Sequence, residues 1–439
     1  MKLSNTVTRN VEEFTPLDAA HVKMYVCGPT VYARPHIGNA RSVVVYDVLY
    51  RLLSHDFPKV TFVRNITDVD DKINVAAVER GITIQALTQE VTAQFHEDMG
   101  ALNCLPPTVE PRATEHIAQM IALIERLIAG GFAYEAKGHV LFRVQKDANY
   151  GKLSGRSVKD MIAGARVEVA PYKEYPGDFV LWKPASEKDD ASSKFESPWG
   201  VGRPGWHIEC SAMSEAHLGA DFDIHGGGAD LMFPHHENEV AQSTCGNPGS
   251  HYAKYWVHNG FLTVEGEKMS KSLGNFITVH ELLEKGVKGE VIRFALMSTR
   301  YNEPFDWTQK LLDDAEKVLN RMYRQAAPSA GQGAVHPEIL EALRDNLNTP
   351  KALAVLQALK DEDLKASAEF LGLLQQAADS WFKGNSAGED TLWIDIQIAA
   401  RNEAKKARDF NLADAIRDML KAKGILLEDG AQGTSWRRI

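Results

Sequence analysis

Two residue types that bind zinc lie four positions apart in the segment F-P-H-H-E-N-E at 233–239. In a helix, this spacing places His235 and Glu239 on the same face. Imidazole and carboxylate are both ordinary zinc ligands, and Pro234 suits the first turn of a helix. The pair therefore predicts half of a metal site on a rigid element.

The two missing ligands are sought among the four cysteines of the chain. Cys27 and Cys210 would complete a mixed set of sulfur, nitrogen and oxygen donors from distant segments. Such scattered ligands suit a catalytic site better than a compact structural finger. The alternative interpretation is that the His-His-Glu run is a solvated polar face and that the cysteines are small buried hydrophobic residues.

The composition is that of an ordinary soluble protein with roughly two to four domains. Of its 439 residues, 44% are hydrophobic and 25% are charged. Residues 1–6 lack the apolar core of a signal peptide, and no apolar run reaches the roughly 20 residues that a membrane span needs. The cysteines form no close pair, which argues against a disulfide framework. We therefore expect a cytoplasmic protein without a membrane partner.

The charge distribution restricts where a nucleic acid could bind. The net charge of -10 predicts no general affinity for polyanions, so such a partner must be held by a local patch. Between residues 401 and 439 the balance inverts, with nine Lys or Arg against six Asp or Glu. A basic helical tail that ends in Trp436, Arg437 and Arg438 suits RNA, through charge and stacking. The alternative is a solvated helix face.

The segment 22–53 predicts a strand, a tight turn and a helix. The apolar strand ends at Cys27, and apolar positions recur at helical spacing from Ala40 onwards. This pattern is typical of the opening of a nucleotide-binding α/β unit. Neither G-x-G-x-x-G nor G-x-x-x-x-G-K-[ST] occurs there, so a dinucleotide site and a P-loop are excluded. His36 stands at a helix N-terminus that favours a phosphate, although such a histidine is also a common cap.

Three further segments predict contacts with a nucleotide. The polar residues 64–73 follow a strand and belong at the carboxyl edge of a sheet, unless they form only a helix cap and a charged turn. Glycines 226–228 allow a close backbone approach, and Asp230 is placed to accept hydrogen bonds from ribose hydroxyls. The loop 266–275 carries two lysines and two serines, which suits closure over a triphosphate. Without its neighbours, that loop would be an exposed basic turn.

Seven motifs in the order of a known family support these interpretations. They are C-G-P-T-V-Y (27–32), H-I-G-N (36–39), I-T-D-V-D-D-K (66–72), G-W-H-I-E-C-S-A-M (205–213), H-G-G-G (225–228), F-P-H-H-E-N-E (233–239) and K-M-S-K-S (268–272). With them the chain resembles the class I aminoacyl-tRNA synthetases, and specifically the cysteinyl-tRNA synthetase family. Asn39 stands where the general class I signature has histidine, a variant that the family uses.

The resemblance implies an α/β fold with a Rossmann-like parallel-sheet catalytic domain. We expect its two halves at 1–109 and 204–262, with an inserted α+β subdomain at 110–203. A signature loop and stem-contact region at 263–306, a helical bundle at 307–382 and a small C-terminal anticodon-binding module at 389–439 should follow. The segment D-N-L-N-T-P at 345–350 resembles the family's bundle motif, with Asn346 in place of the usual acid.

The resemblance also implies an activity and its site residues. Cysteine and ATP would give cysteinyl adenylate and pyrophosphate, and the enzyme, expected to be a monomer, would then pass cysteine to tRNA(Cys). One zinc per subunit would be held by Cys27, Cys210, His235 and Glu239. Cysteine would contact Gly28, Thr67, Trp206 and His207. ATP with Mg²⁺ would contact His36, Gly38, Asn39, Gly228, Asp230, Lys268 and Lys271, of which His36, Asn39, Lys268 and Lys271 would be catalytic. Trp436, Arg437 and Arg438 would contact the anticodon. No carboxylate is assigned to magnesium.

Two other functions stay open at the level of the sequence. A related ligase uses the same fold to join cysteine to an amino sugar, but it would leave the basic C-terminal module without a purpose. A non-enzymatic zinc protein that binds RNA would need no ATP loop, so the intact segment 268–272 speaks against it.

Overall fold

The central sheet consists of four parallel strands, β3 (Val22–Val26), β4 (Val60–Arg64), β9 (Asp221–Gly228) and β10 (Tyr252–Asn259). Their order is β10-β9-β3-β4, so the chain leaves β3 towards β4 on one side and reaches β9 on the other. The structure is a computed structural model that describes residues 1–156, 170–186, 189–270, 273–326, 333–383, 388–430 and 433–438. The predicted α/β fold class with a parallel sheet is confirmed.

Helix α1 (Ile37–Asp56) connects β3 to β4 and lies between two layers. One side contacts β4, β9 and β10, and the other contacts α8 (Gly289–Leu296) and α10 (Pro337–Arg344). A helix in this position has little solvated surface, which explains the consecutive buried residues 43–49. Because α1 follows β3, its N-terminus lies at the carboxyl edge of the sheet, where ligands bind in open α/β folds.

An antiparallel sheet lies between the two halves of the parallel one in sequence. It contains β5 (Ala133–Ala136), β6 (His139–Phe142), β7 (Phe179–Pro184) and β8 (Gly202–Pro204), in that order. Strands β5 and β6 pair antiparallel on either side of Lys137 and Gly138, and both of these residues have positive φ. Helix α4 (Ile117–Ala129) shares a hydrophobic core with this sheet and with α5 (Trp206–Leu218).

A small sheet supports the predicted cationic loop. It contains β11 (Leu262–Val264), β12 (Glu267–Lys268) and β13 (Phe305–Trp307), in the order β12-β11-β13. Strand β11 pairs in parallel with β13 and antiparallel with β12. Helix α7 (Val279–Glu284) follows the loop. Lys271 and Ser272 lie outside the described residues.

The remaining elements complete the molecule on both sides of α1. They are β1 (Lys2–Asn5), β2 (Asn10–Glu13), α2 (Asp71–Arg80), α3 (Ile84–Ala101), α6 (Glu237–Gly246), α9 (Gln309–Gln325), α11 (Thr349–Leu356), α12 (Asp361–Phe370), α13 (Ala378–Lys383), and short helices at Ala113–His116, Val144–Lys146, Ala191–Ser193 and Met232–His236. Asn346 has a positive φ and its Oδ1 accepts hydrogen bonds from Ser4 N and Tyr301 Oη. This residue therefore ties the N-terminal hairpin to the helices.

The C-terminal module is partly a hairpin, so the prediction of a helical tail is wrong at its end. Helices α14 (Gly388–Lys406) and α15 (Phe410–Ala422) are followed by the antiparallel strands β14 (Ile425–Gly430) and β15 (Gly433–Arg438). Their apolar side chains form a small core of their own. Nothing among the described helices of the chain is long and apolar enough to cross a membrane.

Candidate active site and metal centre

The candidate site lies where the strand order of the parallel sheet reverses. Cys27 directly follows β3, and the glycines 226–228 end the neighbouring strand β9. Chains that leave two adjacent parallel strands in opposite directions open a crevice at their carboxyl ends. The predicted metal ligand Cys27 and the predicted nucleotide residue Gly228 lie at these strand ends.

Four potential metal ligands come together there, and we call Cys27, Cys210, His235 and Glu239 the donor cluster. Their donor atoms all lie within 4.8 Å of one another. Cys27 Sγ lies 3.6 Å from Cys210 Sγ and 3.4 Å from Glu239 Oε1. His235 Nε2 lies 3.0 Å from the same carboxylate oxygen. The residues selected from the sequence thus lie around one point.

The spacing and chemistry of the donor cluster fit zinc. Two sulfurs bound tetrahedrally at about 2.3 Å from zinc would lie about 3.8 Å apart, close to the separation of the Cys27 and Cys210 thiols. A second possible group combines Cys27 and Glu239 with His225 and His236. The donor cluster contains two thiols instead of one, and thiolate ligands favour zinc over harder cations.

The backbone around Pro234 differs from the continuous helix that the spacing predicts. Residues Met232–His236 form a short π-helix with non-helical angles at Phe233, and α6 begins only at Glu237. The spacing of four nevertheless brings His235 Nε2 to Glu239 Oε1. The predicted shared face is therefore correct, although the regular helix is not.

Buried partners set the charge of the donor cluster. A hydrogen bond from the Cys27 thiol lowers the pKa of Cys210 to about 6, although burial acts in the opposite direction. Burial raises the pKa of the Cys27 thiol. Burial would also raise the pKa of Glu239, but the His225 and His235 imidazoles hold it well below its usual range. One thiolate and one carboxylate are thus favoured. Burial acts to lower the pKa of His235, but the Glu239 carboxylate raises it to about 10, so a metal would have to displace protons from His235 and from Cys27.

A second layer of side chains orients the carboxylate. Glu239 Oε2 lies 2.8 Å from His225 Nε2 and accepts a hydrogen bond of 2.9 Å from Tyr252 Oη. Such outer partners fix the direction of a metal ligand and tune its basicity. His225 and Tyr252 come from β9 and β10, so the parallel sheet itself holds the carboxylate in place.

The residues expected to contact cysteine adjoin the donor cluster. The ring of Trp206 stacks on His235 at a centroid distance of 4.1 Å, and His207 Nδ1 lies 2.9 Å from His235 Nδ1. A Cβ atom on Gly28 would lie 1.6 Å from the carbonyl oxygen of Asn65, so this position accepts only glycine. Trp206 remains 38% exposed.

Sequence analysis missed two buried polar residues of this pocket, Asn65 and Glu209. Asn65 Oδ1 accepts hydrogen bonds from Gly28 N and Tyr25 Oη, and its Nδ2 donates to Thr67 Oγ1. Thr67 in turn donates to Glu209 Oε2 at 3.1 Å. Both residues lie in or beside motifs of the sequence, but only their burial shows that they orient the pocket.

His36 is both a helix cap and a candidate phosphate ligand. Its Nδ1 accepts hydrogen bonds from Gly38 N and Asn39 N, while the Asn39 side chain accepts one from His36 N. Burial lowers the pKa of His36. The neutral ring therefore carries its proton on Nε2, which is left to donate to a ligand. The backbone N–H groups of Gly38 and Asn39, which the sequence suggested as donors to a phosphate, donate to the His36 side chain instead.

Three of the other predicted ATP residues are Asp230, Gly228 and Lys268. Burial lowers the pKa of His36, and the charge of the Asp230 carboxylate acts in the opposite direction. A Cβ on Gly228 would lie 2.3 Å from Asp230 Oδ1, so a larger residue there would displace the Asp230 carboxylate. Lys268, in β12, is exposed, and its carbonyl accepts a hydrogen bond from Asn275 Nδ2. Lys271 lies outside the described residues.

In the C-terminal module, the structure contradicts the predicted stacking role of Trp436. This ring is only 4% exposed, lies in the core of the module, and its Nε1 donates to Asp395 Oδ1. Arg437 donates to Glu428, and Arg438 ends the second strand. The exposed aromatic rings of the module are Phe410 and Trp393, which sequence analysis did not select.

A family model and two individual proteins match this chain in sequence. The family model described as the class I (C) tRNA synthetase catalytic domain matches residues 13–317. The chain is 58% identical over 459 aligned positions to the cysteine–tRNA ligase of Paramagnetospirillum magneticum, with 99% of both chains covered. It is 55% identical over 460 positions to that of Rhodospirillum rubrum, with 100% of this chain and 99% of the relative covered.

A solved structure is similar in three dimensions. The methionyl-tRNA synthetase of Mycobacterium tuberculosis in complex with methionyl-adenylate gives a TM-score of 0.57 at 16% identity, over 77% of this chain and 81% of that chain. At such low identity the likeness concerns the fold alone, and it agrees with the parallel sheet and the helices around it.

Proposed function

The chain belongs to the cysteine–tRNA ligases of class I, and on that premise we propose that its donor cluster binds one zinc ion that selects cysteine. The observation that supports this most strongly is the convergence of two thiols, an imidazole and a carboxylate within 4.8 Å, directly beside Trp206. The test is cysteine-dependent exchange of pyrophosphate into ATP, followed by charging of transcribed tRNA. Exchange that shows no preference for cysteine over serine would contradict the proposal.

Selecting cysteine against serine needs more than an apolar pocket. Such a pocket separates near-isosteres by only about 1–3 kcal/mol. Zinc bound to the donor cluster supplies the missing discrimination, because it favours a thiolate ligand over a hydroxyl. The chain itself orients the rest of the amino acid through Thr67, whose hydroxyl is held by Asn65 and Glu209.

The first step joins the cysteine carboxylate to the α-phosphate of ATP and releases pyrophosphate. His36 donates its Nε2 proton as a hydrogen bond to a phosphate oxygen, and Asp230 accepts from the ribose. Lys268 and Lys271 stabilise the charge that appears as pyrophosphate leaves. Catalysis is therefore positioning and charge stabilisation, and no side-chain nucleophile is required. ATP would arrive with Mg²⁺.

The second step passes cysteine to the terminal ribose of tRNA(Cys), and the C-terminal module would bind the anticodon. The basic balance of residues 401–439 supports that role. Arg437 and Arg438 remain candidates for phosphate contacts. We also propose that the protein is cytoplasmic and monomeric.

Removal of the C-terminal module tests whether the module binds the anticodon. A chain that ends at Lys383 should keep cysteine activation, because the donor cluster and His36 lie upstream and the module has its own core. Charging should show a raised KM for tRNA and a smaller dependence on salt, because phosphate contacts are lost. Truncation with full charging rate and affinity would contradict an anticodon role for the module.

Two aromatic substitutions distinguish a base contact from a packing contact. Phe410 is 62% exposed, so Phe410→Ala should leave the thermal midpoint unchanged. It should raise KM for tRNA by the equivalent of about 1–3 kcal/mol if the ring stacks on a base. Trp436→Ala should instead destabilise the module by about 3–5 kcal/mol, since it empties a core position. Steady-state charging and thermal unfolding measure both effects, and equal behaviour of the two variants would reject the distinction.

A further inference from the structure

Arg41 is a buried cation that holds backbone carbonyls from two separate segments. It lies one turn into α1 and is only 1% exposed. Its Nη1 donates to the carbonyls of Gly260 and Phe261, at 3.0 and 2.8 Å. Its Nη2 donates to those of Arg300, Tyr301 and Glu303, at 3.3, 3.2 and 2.6 Å.

These two segments, which we call the lead-in segments, precede the strands of the small sheet that carries Lys268. Residues 260–261 lead directly into β11, and residues 300–303 lead into β13, its parallel partner. Phe305 N also donates to the carbonyl of Phe261, and Gly260 N donates to that of Tyr301. The guanidinium thus closes a junction in which both lead-in segments meet α1.

The far end of the same loop is also tied to the start of α1. Ile37 N donates to the carbonyl of Ile277, and Val279 N donates to that of Pro35. His36 and Thr278 accordingly form an isolated bridge. The segment between residues 262 and 277 therefore has both ends anchored on the first two turns of the helix that presents His36.

We propose that Arg41 is a positioning residue that holds the hairpin of β11 and β12, here called the Lys268 hairpin, at a fixed distance from the His36 turn during adenylate formation. The inference rests on the proposed ATP contacts of His36 and Lys268, and it concerns a residue that contacts neither ATP nor cysteine. Through the junction, Arg41 would set the distance between His36 and Lys268, which act on the same triphosphate.

The chemistry of the guanidinium suits this task. Only arginine offers five N–H donors in a rigid planar fork, whereas a lysine ammonium has three donors and no fixed plane. Burial lowers the pKa of Arg41 to about 10, so it stays charged near neutral pH. No carboxylate among the described residues forms an ion pair with it, and the partial charges of the carbonyls replace a counter-ion. The ring of Phe305 lies 5.0 Å from its Cζ.

The test is the kinetics of Arg41→Lys, which keeps the charge but cannot reach both lead-in segments. We expect kcat/KM for ATP to fall about 100-fold, the scale of a misplacement of about 1 Å. KM for cysteine and the zinc content should not change. Transfer of cysteine from preformed, enzyme-bound adenylate to tRNA should also be unchanged, because pyrophosphate has already left.

Gly260→Ala provides a second variant that leaves Arg41 intact. Its Cβ would lie 2.2 Å from the carbonyl oxygen of Glu303 and would force the two lead-in segments apart. The same loss confined to ATP is expected. If Arg41→Lys fails to fold, this variant carries the test.

Arg293→Lys is the matched control for a purely structural effect. Arg293 is equally buried and donates to the carbonyls of Leu102 and Leu371, but it meets α1 through an ion pair with Asp47. It should lose stability without the ATP-specific loss. The inference is overturned if folded Arg41→Lys has wild-type ATP kinetics, or if Arg293→Lys reproduces its profile. Lys268→Ala separately tests the underlying role, since unchanged adenylate formation there would reject the proposed ATP contact itself.

Discussion

Replacing Cys210 with serine is expected to remove zinc from the purified protein and to abolish most of its preference for cysteine. The Cys210 thiol lies 3.6 Å from that of Cys27 and is nearly fully buried. A serine hydroxyl in its place is a much poorer zinc ligand than a thiolate. Discrimination between cysteine and serine should fall towards the roughly 10- to 200-fold that an apolar pocket achieves. Metal analysis and amino-acid-dependent pyrophosphate exchange measure the two effects.

Cys245→Ser is the matched control, because Cys245 is a free cysteine outside both possible metal groups. It should keep stoichiometric zinc and the normal preference for cysteine. His235→Ala supplies an independent arm from another ligand and should follow Cys210→Ser. Stoichiometric zinc with unchanged selectivity in both ligand variants would show that the donor cluster is not the metal centre.

Lys268→Ala is expected to slow adenylate formation by the equivalent of about 2–4 kcal/mol, the scale for loss of one electrostatic stabiliser. Its charge matters mainly when pyrophosphate leaves, so the affinity for cysteine should change little. The side chain is exposed on a two-residue strand, and thermal stability should therefore be retained. Rapid-quench measurement of cysteinyl adenylate reports the rate directly.

The control for this variant is Lys310→Ala. The Lys310 side chain is 84% exposed on α9 and pairs with Asp314 in the same helix. Removing it should leave adenylate formation unchanged. A wild-type rate in Lys268→Ala would identify this lysine as an ordinary surface residue and leave the electrostatic role to other groups.

The sequence predicted the fold class because its signals are local. The strand at 22–26, the turn after it and the start of α1 follow from apolar periodicity and turn residues. The prediction that His235 and Glu239 lie on the same side was also correct, since a spacing of four brings them together despite the irregular backbone at Phe233. The other two ligands were chosen from only four cysteines and supported by the resemblance, because no spacing rule connects residues 27 and 210.

Exposure could not be deduced from the sequence in the C-terminal module. An aromatic residue followed by two arginines near the end of the sequence suggested a stacking surface at Trp436. The strand pairing of 425–430 with 433–438 turns that ring into a small core, and Phe410 is exposed instead. Which face of an element is solvated depends on what packs against it, and at a chain terminus local patterning carries little information about this.

What the sequence determined by itself was therefore the set of reactive residues and the elements that carry them. The tertiary structure decided which residues contact them. Asn65 and Glu209 hold Thr67, two histidines offer a second donor group, and Arg41 holds the segments that lead into the Lys268 hairpin. The physical reason is that residue types and periodicity act over a few positions, whereas these contacts join segments up to 262 residues apart. Such distances are fixed only by strand order and by the burial of polar groups that must find partners.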